Sequence, residues 1–175
     1  MTAGDIPQVN PIERESFPEM DHNSPFHTEL ESRLARYLVA VRPGPEGEEV
    51  IGYAGLWFVL DEAHVTSVAV RGDLRRTGIA RRLLLAACGL ALERRCILLT
   101  LEVRASNKGA QHLYETLGMH RAGIRRGYYS DNREDAWLMT VEGLDTPAVR
   151  ARLDALRRQY APGIPSFEEM AHDGD

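Results

Sequence analysis

The stretch Arg71-Gly-Asp-Leu-Arg-Arg-Thr-Gly-Ile-Ala-Arg-Arg82 constrains the fold of this chain more than any other. An apolar run, His64–Val70, leads into it, and an apolar-periodic segment from Ile79 to about Arg94 leads out. Ile79, Leu83, Ala87 and Leu90/Ala91 recur at helical spacing. A second apolar run, Ile97–Val103, follows. Strand, turn, helix and strand in that order imply a crossover and a parallel strand pair. The turn carries five arginines against one aspartate, in a protein of net charge -5. The first N–H groups of a helix have no partner within it, and the helix dipole favours negative charge there, so the arrangement is an anion site. Gly78 lets backbone approach the anion with no Cβ in the way.

The rest of the chain reads as strands closing round this unit. Residues 1–25 carry Pro7, Pro11, Pro18 and Pro25 among polar residues and read as an irregular arm, with room for a short helix near Pro11–Phe17. A helix within 27–36 leads into a strand at Tyr37–Arg42. Pro43-Gly-Pro-Glu-Gly47 is a turn, and Val50–Leu60 a long strand. These connections are too short for crossovers, so the first three strands form an antiparallel meander. Asn107–Leu117 reads as a helix, with Asn107 as N-cap and Gly118 as the left-handed residue past its end. Met119–Tyr128 and Ala136–Val141 form a closing hairpin across Ser130–Asp135. Residues 147–160 form a last helix, and the final fifteen a frayed acidic tail. The expected organisation is an N-terminal arm (1–25), one α/β (α+β) domain (26–145), and a C-terminal helix and tail (146–175). The domain has a mixed, mostly antiparallel central sheet with flanking helices and a parallel pair at its third and fourth strands.

Composition narrows the function. Hydrophobic residues make up 43% of the chain, enough for an ordinary core. Net acidity argues against nucleic-acid binding, which wants a broad basic face. Basic charge gathered at one turn suits a small anionic ligand. Cys88 and Cys96 make neither a disulfide framework nor a zinc spacing and read as small core residues. Six scattered histidines show no metal-ligand spacing, so no metal is expected. With no long apolar run and no basic-then-apolar start, a cytoplasmic protein without a membrane partner is expected.

Three further residues carry candidate chemistry. In the strand Ile97–Val103, Leu99, Leu101 and Val103 share one face, and Thr100, Glu102 and Arg104 the other. Glu102 is thus a carboxylate on the polar side of an apolar strand, where partial burial would raise its pKa towards the range useful in a general base. The alternative is a surface pair with Arg104. Tyr114 lies beside the helical stripe Ala110, Leu113, Leu117, where its ring packs and its hydroxyl stays available as a proton donor; the alternative is a core-edge tyrosine. His64 begins the strand before the turn and could serve as an alternative base.

The turn fits neither of two common phosphate loops: it has no Lys for a Walker loop, and only Gly78 is placed for a dinucleotide fingerprint. Arg75-x-x-Gly78-x-Ala80 resembles instead the R/Q-x-x-G-x-G/A turn of the GCN5-related N-acetyltransferases. The resemblance extends through Leu60-Asp-Glu-Ala63, Leu101-Glu-Val-Arg-Ala-Ser-Asn107, Leu113-Tyr-Glu-x-Leu-Gly118, Ile124-Arg-Arg-x-Tyr-Tyr129 and Glu134-Asp-Ala136. These match the branch that acetylates the N-terminal alanine of ribosomal proteins. It covers roughly residues 50–141. What the resemblance implies is as follows. Acetyl-CoA is the cosubstrate, its pyrophosphate held by Arg76, Thr77, Gly78, Ile79, Ala80 and Arg81, and its acetyl and pantetheine arm lined by Val68, Ala69 and Val70 on a strand that splays from its parallel neighbour. Asn107 makes a further contact to it. Glu102 is the general base, Tyr114 the general acid, and Tyr128 and Tyr129 flank the peptide. The acceptor is a protein N-terminus, a small-subunit ribosomal protein starting with alanine, and the enzyme a monomer, with a dimer left open. A lysine side chain or small amine as acceptor, or a non-catalytic acetyl-CoA-binding module, are the alternatives. The segment Phe17–Phe26 departs from the family's compact Phe-Pro-Trp arm, which puts peptide specificity in doubt.

Overall fold

A computed structural model describes residues 1–19, 26–45 and 47–164. His22 and His172, most of the expected acidic tail and most of the segment between Phe17 and Phe26 lie outside them. The described chain contains β1 (Ala35–Gly44), β2 (Gly47–Val59), β3 (Glu62–Val70), β4 (Leu98–Arg104), β5 (His120–Arg125) and β6 (Ala136–Glu142), with α1 (Ile6–Ser16), α2 (Phe26–Glu31), α3 (Ile79–Glu93), α4 (Lys108–Thr116) and α5 (Pro147–Tyr160). The strand order is β1-β2-β3-β4-β6-β5. β3 and β4 run parallel, and β1–β2, β4–β6 and β5–β6 antiparallel. This is the mixed sheet expected, with its parallel pair at the third and fourth strands. The chain divides into two compact units, one of Met1–Trp57 with Val65–Ala87, the other of Phe58–His64 with Cys88 onward.

The first unit corrects the expected arm. Residues 6–16 form a helix whose Ile6, Val9 and Ile12 are buried beside Phe26, Tyr37 and Tyr53. Pro7 sits in the first turn, where a helix needs no N–H. Pro11 lies inside the helix and forfeits one bond, and burial of three aliphatic side chains outweighs it. Phe26 packs edge-on against Tyr37 and Tyr53, at 5.2 and 5.6 Å between ring centres. β1 runs into the expected turn as far as Gly44, so Pro43 lies near the end of a strand instead of opening a loop. Gly52 on β2 is required by close packing, since a Cβ there would meet the Ala69 carbonyl oxygen at 2.9 Å.

The second unit follows the expected pattern closely. β4 alternates as read, with Leu99, Leu101 and Val103 buried. Asn107 caps α4 by accepting from Ala110 N–H at 3.1 Å, and Gly118 has φ +85. A side chain at Gly118 would also collide with Arg152 of α5. Thr146 caps α5, whose Leu153 is fully buried. Cys88 and Cys96 are buried, and burial pushes the Cys88 thiol up to about 12. The face of α3 differs in width from the stripe expected. Leu83, Leu84, Leu85, Ala87, Cys88, Ala91 and Leu92 are all buried, so most of its circumference is covered. No helix among the described residues is long and apolar enough to cross a membrane.

Candidate functional site

The arginine turn belongs to the first unit. After β3 the chain makes a 3-10 turn at Gly72–Leu74, and α3 begins at Ile79. Arg76 and Gly78 take left-handed backbone, φ 66 and 90. The first helical bond runs from Arg82 N–H to the Gly78 carbonyl at 3.1 Å, so the preceding amides have no intrahelical acceptor. A Cβ built at Gly78 has nothing within 4 Å, so the turn opens onto free space. Exposed amides at the positive end of a helix beside an open, Cβ-less turn suit a diphosphate.

The five arginines do not act alike. Arg71 pairs with Glu49 and, at 2.6 and 2.9 Å, with Asp73. Arg75 donates to the Val70 carbonyl at 3.2 Å and sits 3.6 Å from Glu15. These two hold the turn in shape. Arg76, Thr77 and Gly78 are exposed at its crest, while Thr77 Oγ1 donates to the Leu74 carbonyl at 2.6 Å. Upstream, Ala69 and Val70 are buried and Val68 half-buried. The described parallel ladder of β3 and β4 runs from Glu62↔Leu98 to His64↔Thr100.

Glu102, Tyr114, Tyr128 and Tyr129 belong to the second unit with His64. Parallel register sets His64 beside Thr100, two residues before Glu102 and therefore on its face of the sheet. His64 Nε2 meets Glu102 Oε2 at 2.5 Å. Arg125 reaches across β6 and brings Nη2 to 3.0 Å from Glu102 Oε1. The Glu102 side chain is left 7% exposed. The expectation of a raised carboxyl is overturned. The hydrogen bond to His64 leads a set of attractions, Arg125 among them, that outweigh desolvation and hold Glu102 below the usual carboxylate range. Nor does Glu102 pair with Arg104. Arg104 turns to Asp131 at 3.1 Å and Glu134 at 3.3 Å, and lies 3.9 Å from the centre of the Tyr129 ring.

Burial, with a smaller contribution from Tyr129, pushes the Tyr114 phenol up to about 12, further above neutral pH than an ordinary tyrosine. Tyr128 and Tyr129 pack edge to face at 5.2 Å. Arg125 lies 5.5 Å from the centre of the Tyr128 ring, and Tyr128 is 45% exposed. Two contributors went unassigned in the sequence. Arg125 lay within a matched motif without a role, because its contact depends on the register of three strands. Gln111 is buried, donates to the Arg104 and Ala105 carbonyls at 2.9 and 3.0 Å, and accepts from Arg121 at 2.9 Å. A glutamine in an amphipathic helix carries no signal of that role. Among the described residues no cluster of side chains could hold a metal ion.

The model of the acetyltransferase (GNAT) family matches residues 6–119, a span that begins with the first residue of α1. A putative [ribosomal protein bS18]-alanine N-acetyltransferase of Bacillus subtilis is 39% identical over 142 residues, 81% of this chain and 91% of that one. The [ribosomal protein bS18]-alanine N-acetyltransferase of Escherichia coli K12 is 47% identical over 85 residues, 47% of this chain and 57% of that one. The crystal structure of the Escherichia coli ribosomal-protein-S18-alanine N-acetyltransferase superposes with TM-score 0.71 at 33% identity, covering 82% of this chain and 90% of that one.

Proposed function

We propose, from the premise that this chain belongs to the acetyltransferase (GNAT) family, that it transfers the acetyl group of acetyl-CoA to the N-terminal α-amine of a protein. The acceptor we assign is a small-subunit ribosomal protein beginning with alanine. The observation that carries the reading is the 39% identity to the putative [ribosomal protein bS18]-alanine N-acetyltransferase of Bacillus subtilis along 91% of that protein. We further assign the activity to a monomer in the cytoplasm, with residues 26–145 as the catalytic body and the C-terminal helix as an extension of it.

Acetyl-CoA supplies an acetyl group already activated as a thioester. The residues of this chain do the rest. The crest Arg76–Arg81 meets the diphosphate with backbone amides and the start of α3, and Asn107 adds a contact. The Val68–Val70 backbone lines the acyl arm, and an N–H there would stabilise the oxyanion that builds as the amine attacks. An ammonium is unreactive until it loses a proton, and ionised Glu102 supplies the carboxylate of the base. Tyr114, held protonated, donates to the departing thiolate. Tyr128 and Tyr129 offer an aromatic wall to the peptide.

The test is acetyl transfer by the full chain to short peptides that differ in their first residue, set against free lysine and polyamines. Transfer to the α-amine, strongest with alanine first, is the expected result. Transfer confined to lysine side chains or polyamines would replace the acceptor, and binding of acetyl-CoA with no turnover would leave only a binding module.

A further inference from the structure

Leu60 stands where a leucine is unfavourable on two counts. It is the first of the two residues that turn β2 into β3, its backbone is left-handed at φ 55, and it is 94% exposed. Glycine, asparagine or aspartate fill such a position with less strain, and none of them puts an alkyl group in water. The turn is fastened to the start of β4: Ile97 N–H donates to the Asp61 carbonyl at 2.8 Å, and Leu144 N–H donates to the Ile97 carbonyl at 2.9 Å. Three segments of the second unit meet there, and Val59 and Ile97 add exposed alkyl groups to Leu60. The rim is acidic. Asp61 and Glu62 follow Leu60, register sets Glu62 and Glu142 on either side of Leu98, and Asp145 follows Leu144. These carboxylates are exposed, and among the described residues none of them has an ion-pair partner. The nearby cations are Arg94, laid over the Phe58 ring at 4.6 Å, and Arg95, so the balance is negative.

We infer that this apolar tip is a docking surface for the body of the acceptor protein, beyond its first few residues, and that it takes a basic surface with an apolar cleft. The inference rests on the acetyltransferase reading above and deepens it. A protein of the ribosome meets RNA phosphates and carries a broad basic face to do so. The acidic rim complements that face, and it repels nucleic acid, an anionic lipid surface or a second copy of the same tip. Reach agrees with this. Leu98 precedes Glu102 by two side-chain repeats of β4 and shares its face. The separation is about 13 Å at the rise of a strand, which about four extended residues span. The first residue of the acceptor therefore meets Glu102 while the chain behind it passes over Thr100 and Leu98 and brings the protein's body onto the tip.

Acetyl transfer by the full chain is measured with two acceptors, a full-length small-subunit ribosomal protein beginning with alanine and a peptide of about its first four residues, too short to reach the tip. Leu60→Asn suits the left-handed turn and removes the alkyl group. It should raise KM for the protein about tenfold or more, the loss expected for one buried leucine. It should leave kcat, the peptide's kcat/KM and the melting temperature at the parent values. Leu60→Met, which restores an apolar tip, should recover most of the protein's KM. Added salt should narrow the protein's advantage over the peptide in the parent, because the rim is exposed. Equal KM for the protein in the parent and in Leu60→Asn would overturn the inference, and so would a parent that uses protein and peptide alike. A fall in melting temperature with equal losses on both acceptors would make Leu60 a structural residue and overturn it too. Sedimentation showing a parent dimer that Leu60→Asn dissolves would give the tip to a second copy instead. A parent inactive on both acceptors removes the acetyltransferase reading itself, whereas an active parent with an indifferent Leu60 variant removes only this inference.

Discussion

At Glu102 two opposing effects can be weighed. Burial to 7% exposure favours the neutral acid, while His64 and Arg125 favour the anion, and the hydrogen bond from His64 is the largest influence. Alternation along β4 was enough to put Glu102 on the polar face. Its partners were not legible, because they come from β3 and β5 and depend on how those strands fall into register. Tyr114 was legible as a residue beside an apolar stripe, and burial raises its phenol further above neutral pH. Tyr114→Phe keeps the ring and removes the donor. It should reduce kcat by about 100-fold, the low end for a general acid, with melting temperature and acetyl-CoA affinity kept. Steady-state thiol release checks this, and undiminished kcat would remove the acid role.

At the scale of elements, the turn before α3 was the most legible feature, since glycine placement, charge and the flanking periods all agreed. Which arginines hold it together was not, because Glu49 and Glu15 come from β2 and α1. Gly78 has φ 90 and open space about it, so a substitution there meets backbone strain and no clash. Gly78→Val should reshape the crest and weaken acetyl-CoA about tenfold, given 1–2 kcal/mol for a left-handed non-glycine residue. Calorimetric titration measures it, and an unaltered dissociation constant would count against the turn as the diphosphate site. α1 is the opposite case. Ile6, Val9 and Ile12 stand at helical spacing, but four prolines in the first 25 residues drew the reading towards an arm. Burial decided the matter, and it is local to a core that sequence order does not reveal. Ile12→Ala, in a residue 3% exposed, should cost about 2–5 kcal/mol and lower the melting temperature accordingly. A melting temperature equal to the parent's would mean that the helix is dispensable.

At the scale of the whole chain, the strand succession was legible and the division into units was not, because the boundary cuts through β2, β3 and α3, each a continuous element in the sequence. Both units depend on ionised carboxylates. Glu49 and Asp73 in the first, and Glu102 and Glu134 in the second, are all held below their ordinary values by arginine, histidine or hydrogen-bond partners. A lowered folded-state pKa means that the unfolded chain takes up protons first. Their contribution is therefore complete above ordinary carboxylate titration. It is lost as pH falls from the ordinary glutamate value of 4.5 towards about 2, where Glu134 titrates. Melting temperature followed down this range should drop steadily, and less steeply in high salt, which screens the exposed pairs. A flat profile would show that these pairs add nothing. Arg104 ties local geometry to this larger frame. One guanidinium, rooted in β4, gathers two acids of the hairpin loop and lies against Tyr129, which in turn abuts Tyr128. The tyrosine pair is thereby moored to the strand that bears Glu102, by two ion pairs and one ring contact.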